Sequence, residues 1–157
     1  MSDRRARFRD VLPAGIGSIA TIGIALVMLD LEHVPYLLAS LGGSCVILFA
    51  MPDSVMAQPR SFIGGHLVGT VVGLVFSHAF GGSIFFMACA VGTAVALMMV
   101  TDTIHSPAGA DPLIVMAAHP GWSFLVEPLA LGLAILFAGA SVYHRLILRR
   151  PYPVRWL

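Results

Sequence analysis

Three histidines, one aspartate and one arginine stand inside or beside long apolar runs: His33, His66, His105, Asp111 and Arg60. Ionisable groups at membrane depth are costly and mark ion paths or proton relays. Arg60 is the one arginine outside the two chain ends. Its guanidinium matches an oxyanion's geometry and could draw anions to a pore mouth, with Gln58 beside it as a further polar contact. The bland alternative is a topology anchor whose head group reaches back to the lipid surface. His66 lies about one turn into an apolar run beside Gly64-Gly65, where it could line a cavity or couple transport to protons. The competing reading ties its ring to a backbone carbonyl. His33 and His105 precede two short apolar stretches at matching places, either as helix caps or facing a permeation path. Asp111 precedes Pro112, a pattern that favours a cap on a helix beginning there; a proton-relay role is the alternative.

Those places match because the chain reads as two related halves. His33-Val34-Pro35 leads into a short apolar stretch holding Gly42-Gly43 and ending at Met51-Pro52. His105-Ser106-Pro107 leads into another, interrupted at Gly109 and Pro112 and ending at His119-Pro120. Upstream, Ala25-Leu26-Val27-Met28 answers Ala96-Leu97-Met98-Met99; downstream, Ser61-Phe62-Ile63 answers Ser123-Phe124-Leu125. Short Gly/Pro-broken segments at corresponding positions point to a transporter's binding site. Irregular backbone survives at membrane depth only against protein or water, so two half-helices are expected to meet near the midplane. Their N-terminal amides suit an anion, and the amides of Gly43, Ser44, Gly109 and Ala110 are the preferred donors.

Composition sets the class. The chain is 58% hydrophobic and 11% charged, which reads as an integral membrane protein. All nine basic residues are arginine. Four (Arg4, Arg5, Arg7, Arg9) precede the first apolar run and four (Arg145, Arg149, Arg150, Arg155) follow the last. The positive-inside rule then puts both termini in the cytoplasm, across an even number of crossings of a cytoplasmic-type inner membrane. Such basic ends imply no nucleic acid partner. The N-terminal arginines and apolar core imitate a signal peptide, but no small-residue cleavage site follows, so a retained first helix is expected. Cys45 and Cys89 sit in apolar runs without a Cys-x-x-Cys partner and read as small hydrophobes.

Residues 11–31, 61–80, 83–100 and 122–144 are expected to span, since about 20 helical residues cross a bilayer. The stretches 35–51 and 108–118 are shorter, and the second reaches only ~16 Å as a helix. With both crossing, the bundle has six elements in a 3+3 inverted repeat, and Arg60 joins the other arginines inside; with both re-entrant, four full spans remain and Arg60 moves outside. His33 and His105 then lie at opposite faces, so no shared metal is expected. Gly65, Gly69 and Gly73 recur every four residues, as do Ala130, Ala134 and Ala138; both stripes read as helix-packing surfaces, or as seats for a neighbouring subunit. No Gly-x-Ser-x-Gly, His-Glu-x-x-His, phosphate-binding glycine loop or cofactor motif is present. An intramembrane hydrolase would have only Ser44 with His33 or His66 to work with, so no enzyme is expected.

The run Met56-Ala57-Gln58-Pro59-Arg60-Ser61-Phe62-Ile63-Gly64-Gly65-His66 resembles the signature loop–helix junction of the HPP family of small integral membrane proteins. His105-Ser106-Pro107-Ala108-Gly109-Ala110 resembles the family's name-giving His-Pro-Pro motif with its following Ala-Gly. Ser106 stands where that family has its middle proline, which loosens the backbone there and supplies a hydroxyl. The similarity covers roughly residues 10–145. It implies a permease-like membrane protein, with nitrite transport associated with some family members.

The sequence thus predicts an all-α polytopic bundle of four long spans and two short broken segments. A single transmembrane domain covers 11–144, with halves 11–80 and 83–144, flanked by cytoplasmic segments 1–10 and 145–157. The expected activity is passage of a small monovalent anion, nitrite by family resemblance. The expected route passes Arg60, Gln58, His66, His33, His105, Ser106 and the pairs Gly43-Ser44 and Gly109-Ala110, in a homo-oligomer within the lipid bilayer, since two broken elements leave so small a chain little lipid-sealing wall. A proton-coupled or cation carrier using Asp111 and the histidines is the alternative, and a non-transporting assembly protein is another.

Overall fold

The computed structural model describes residues 2–29 and 37–156, and those residues form helices and turns with no strand among them. His33 lies outside the described residues, and with it the expected match to His105. Helix α1 runs Ser2–Met28 and α2 runs Leu37–Cys45, continued by a wider π turn over Val46–Ala50. A loop with a 3₁₀ turn at Val55–Ala57 leads to α3, Pro59–Phe80. Helix α4, Ile84–Val100, is followed by a 3₁₀ turn, Ser106–Ala110, and the short α5, Asp111–Ala118. The last crossing ends in α6, Leu131–Val142, prolonged by a π turn over Tyr143–Ile147.

The boundaries follow from local chemistry. Pro59 sits in the first turn of α3, where its missing N–H costs nothing, and Gly81 ends that helix with φ 70°. Ser83 caps α4 by accepting from the Phe86 amide. Pro112 lies in the first turn of α5, and His119 closes it in the left-handed conformation.

Three helical stretches are long and apolar enough to cross a membrane: Asp10–Met28, Pro59–Phe80 and Trp122–Ile147. The expected fourth long span falls short. The Gly81-Gly82 turn and the Ser83 cap delay α4, and Asp102 with φ 57° stops its continuation, leaving 17 residues or about 25 Å. The last span is interrupted at Glu127, whose backbone is extended (φ −133°, ψ 119°).

The two short segments are not built alike, which corrects the 3+3 inverted repeat. Gly42-Gly43 does not break α2; the helix runs through both residues. Glycine costs about 1 kcal/mol in a helix interior, which tertiary packing can offset. At Gly43 the reason is close approach, because a Cβ there would lie 3.2 Å from the Pro107 ring. The second segment changes winding, from 3₁₀ to α, rather than opening into extended chain. Ser61-Phe62-Ile63 lies within α3, whereas Ser123-Phe124-Leu125 belongs to a 3₁₀ turn.

Helix α3 is the hub, packed along α4 and α5, while α1 lies against α6. One apolar core joins Leu41, Leu48 and Phe49 to Leu129, Leu133 and Leu136; a second gathers Ala90, Ala94 and Met98 around Ala108 and Met116. The glycine stripe on α3 seats the 103–115 segment. A Cβ at Gly65 would stand 2.8 Å from the Thr103 carbonyl, one at Gly69 2.5 Å from the Ala108 carbonyl, and one at Gly73 2.9 Å from Pro112. The alanine stripe is not a packing surface within the chain: Ala130, Ala134 and Ala138 are all exposed, and Gly132 and Gly139 make the close contacts, to Leu41 and Thr21. Outward positions such as Ile19, Val27, Ile84 and Val100 are apolar and exposed, the pattern of a lipid-facing surface.

Candidate functional site

The glycine stripe brings His105 and Asp111 against α3 at the level of His66. Ser40 and Ser44, one turn apart on α2 and so on one face, meet them from the other side. The five side chains form one connected group. The Ser44 hydroxyl lies 2.9 Å from His66 Nε2 and 2.9 Å from His105 Nε2. His66 Nδ1 lies 2.7 Å from Asp111 Oδ2, and the Ser40 hydroxyl donates to Asp111 Oδ1 at 2.6 Å. His105 Nδ1 donates to the Met56 carbonyl at 2.8 Å. All five are 2% exposed or less. Phe62 presents ring edges to both imidazoles, with centroids 5.5 Å from His66 and 5.4 Å from His105.

This is a buried polar network in which each ring nitrogen has a partner, and such networks hold their members rigidly. Its position along α3 follows from helical rise. His66 is about 10 Å from the start of the helix, and Gly69, against which Asp111 packs, about 15 Å, near the middle of a 30 Å core. Beside the network, between α2 and the Ser106–Ala110 turn, lies an open groove of about 440 Å³. Its wall is largely apolar, made by Ala39, Gly43, Val46, Ile47, Pro107 and Ala110, with Ser40 and Ser106 as its polar side chains. One turn beyond His66, the buried Thr70 hydroxyl has no hydrogen-bond partner among the described residues.

The other expected site residues fall elsewhere or act otherwise. Backbone amides of Gly43 and Ser44 lie within α2, and those of Gly109 and Ala110 within the 3₁₀ turn, so helical bonding already occupies them. The amide cradle for an anion is therefore not formed; side chains are what converge. Asp111 does not cap α5, since its carboxylate is spent on Ser40 and His66 instead. Gln58 is buried as a clasp. Its amide nitrogen donates to the Pro52 and Ser54 carbonyls, and its oxygen accepts from the amides of Val154 and Arg155. Tyr152 adds to this closure by donating to the Ala57 carbonyl at 2.6 Å. Arg60 is exposed, donating to the Thr101 carbonyl at 2.9 Å with Asp102 3.8 Å away, and so ties the start of α3 to the end of α4. Ser40 was not singled out by the sequence. The available signal was its position one turn before Ser44.

The sequence pattern of the HPP transmembrane region matches residues 3–153 of this chain. Two transmembrane proteins of Dictyostelium discoideum are similar, one 35% identical over 128 residues and the other 34% identical over 129. The alignments cover 76% and 77% of this chain but 45% and 42% of those relatives, so the chain spans less than half of their length. No solved structure matches the chain.

Proposed function

The chain belongs to the HPP transmembrane family and is a multi-pass integral membrane protein; on that premise we propose that it carries a small monovalent anion across the bilayer, nitrite foremost. The observation that carries this reading is the fully buried group of Ser40, Ser44, His66, His105 and Asp111 beside an open groove. Ionisable groups inside a membrane protein cost stability and are kept for transport, proton transfer or ligand binding. The groove offers the hydroxyl of Ser106 to a partly dehydrated anion, while Ser40, whose own hydrogen goes to Asp111, stands between the groove and the His66–Asp111 pair. Nitrite as the cargo comes from the resemblance of the 56–66 and 105–110 segments to the family, not from the groove's shape.

In this reading both termini face the cytoplasm, and α4 and the short segments complete an even number of crossings. Arg60 marks the cytoplasmic mouth and gathers anions there. The exposed alanine face of the last span meets a second copy of the chain in a homo-oligomer. The test is uptake of nitrite into liposomes containing the purified protein. Saturable uptake above protein-free vesicles, lost in Asp111→Asn, supports the reading; no uptake of nitrite, nitrate, formate or chloride rejects it.

One observation favours a second reading. Ser44, His66 and Asp111 line up as hydroxyl, imidazole and carboxylate, the order used by serine hydrolases. Against it, Ser44 is wholly buried and its hydroxyl also contacts His105. A fluorophosphonate probe that labels Ser44 would reverse that preference.

A further inference from the structure

We propose that His66, Ser44 and His105 form a proton relay that binds one proton with each anion, making the transport a proton–anion symport. The cargo half of this inference rests on the reading above. The relay half rests only on where hydrogen-bond donors and acceptors lie.

A carbonyl only accepts, so the Met56 contact places a hydrogen on His105 Nδ1. At the far end, Asp111 Oδ2 and His66 Nδ1 are 2.7 Å apart and need one hydrogen between them, while Oδ1 accepts from Ser40. What remains is the pair of Nε2 atoms, each 2.9 Å from the Ser44 oxygen, and a hydroxyl with a single hydrogen.

With Asp111 ionised, two arrangements satisfy every one of these atoms. In the first, His66 is protonated on both nitrogens and donates to Ser44, and Ser44 donates to the bare Nε2 of His105. In the second, His105 is protonated on both nitrogens and donates to Ser44, and Ser44 donates to the bare Nε2 of His66. They interconvert without moving a ring. The N–H bond at His66 Nε2 breaks as an O–H bond forms at Ser44, while the original O–H bond breaks as an N–H bond forms at His105 Nε2. Both contain the same number of protons, and both are neutral overall with an ionised Asp111.

A third arrangement loads one more proton. The Ser44 hydroxyl is also 3.1 Å from the Ser40 carbonyl, so its hydrogen can turn there while both imidazolium rings donate to its oxygen. The group then carries one net positive charge in a dry interior, which is unfavourable without a counter-ion. An anion in the groove behind Ser40 and Pro107 supplies that counter-charge, so proton and anion load together. Few other charges compete. Among the described residues, α2 carries no acidic or basic side chain and one thiol, Cys45; α5 carries only Asp111; and Arg60 of α3 is turned to the Thr101 carbonyl and Asp102.

The experiment uses the full chain in liposomes holding a pH-sensitive dye, with a nitrite gradient and potassium–valinomycin to set the membrane potential. Symport predicts nitrite uptake with acidification of the lumen beyond protein-free vesicles, at a rate unchanged by potential. Ser44→Ala lowers uptake by about a hundredfold, and Ser44→Thr, which keeps the hydroxyl, restores it. Uptake that follows the potential and leaves lumen pH as in protein-free vesicles overturns the relay but keeps the anion transporter. Complete absence of uptake overturns the transporter, and the relay is then decided by ¹⁵N NMR of the histidine rings. Nε2 shifts of His66 and His105 between the protonated and bare values, collapsing to fixed tautomers in Ser44→Ala, support it. Fixed tautomers in the unmodified protein overturn it.

Discussion

His66 Nδ1 and Asp111 Oδ2 lie 2.7 Å apart although 45 residues separate them, and both side chains are essentially sealed from solvent. The contact joins the second turn of α3 to the first residue of α5. It makes Asp111 a partner of the histidine instead of a helix cap.

Asp111→Asn keeps the shape of this contact while removing its charge. The Ser40 hydroxyl retains an acceptor and His66 can turn neutral, so the expected loss of stability is about 1–3 kcal/mol. Nitrite uptake falls to the level of empty vesicles. Unfolding in detergent, followed beside the flux assay, separates the two effects; full transport in the variant would remove Asp111 from the site.

Gly69→Ala tests what holds the site together. The added methyl would stand 2.5 Å from the Ala108 carbonyl and 3.3 Å from the Asp111 Cβ, and backbone cannot yield as a side-chain tip can. Overpacking of this kind costs about 1–3 kcal/mol, and displacement of the 106–111 segment abolishes uptake. Gly92→Ala is the control, since nothing lies within 4 Å of its Cβ position on α4. Better helix propensity makes that change neutral or stabilising by up to about 1 kcal/mol. Equal behaviour of the two variants in melting and flux would contradict this account.

Arg60 is exposed, and its pairing with Asp102 is worth at most about 1 kcal/mol. Arg60→Ala should therefore fold normally. At low ionic strength it slows uptake a few-fold below saturation, and the deficit disappears in high salt or at saturating nitrite. A deficit independent of salt would place Arg60 in direct contact with the anion.

The Tyr152 hydroxyl is buried against the Ala57 carbonyl, and burial pushes its pKa above the ordinary tyrosine range. A raised folded-state value stabilises the neutral form. The contribution is thus complete below the unfolded pKa of about 10 and is lost as pH rises beyond it. Tyr152→Phe removes the hydrogen bond at a cost of about 1 kcal/mol and flattens that alkaline loss. Fluorescence of Trp156, which packs near Phe137 at 5.9 Å, reports release of the tail. An identical alkaline transition in both proteins would refute this assignment.

Much of the site was named from the sequence, but one residue at a time. His66, His105 and Asp111 drew notice because ionisable groups in apolar runs are conspicuous, and Ser44 for its amide beside Gly43, whereas Ser40 did not, since a lone serine costs little in a helix. The reading of Gly42-Gly43 as a break failed for a related reason. Local propensity opposes glycine in a helix, and the approach of Pro107 to Gly43 outweighs that propensity. The amide cradle failed with it, because an unbroken helix has no free amides to offer.

Apolar content and the placement of arginines were enough to settle the solvent this chain folds in and its helical class, because hydrocarbon leaves the backbone no other partner than itself. The pairing of residues 22 to 71 positions apart into one buried polar group was decided only in three dimensions. It depends on glycines that admit a turn of backbone within van der Waals reach of α3, a property of packing that no local spacing encodes.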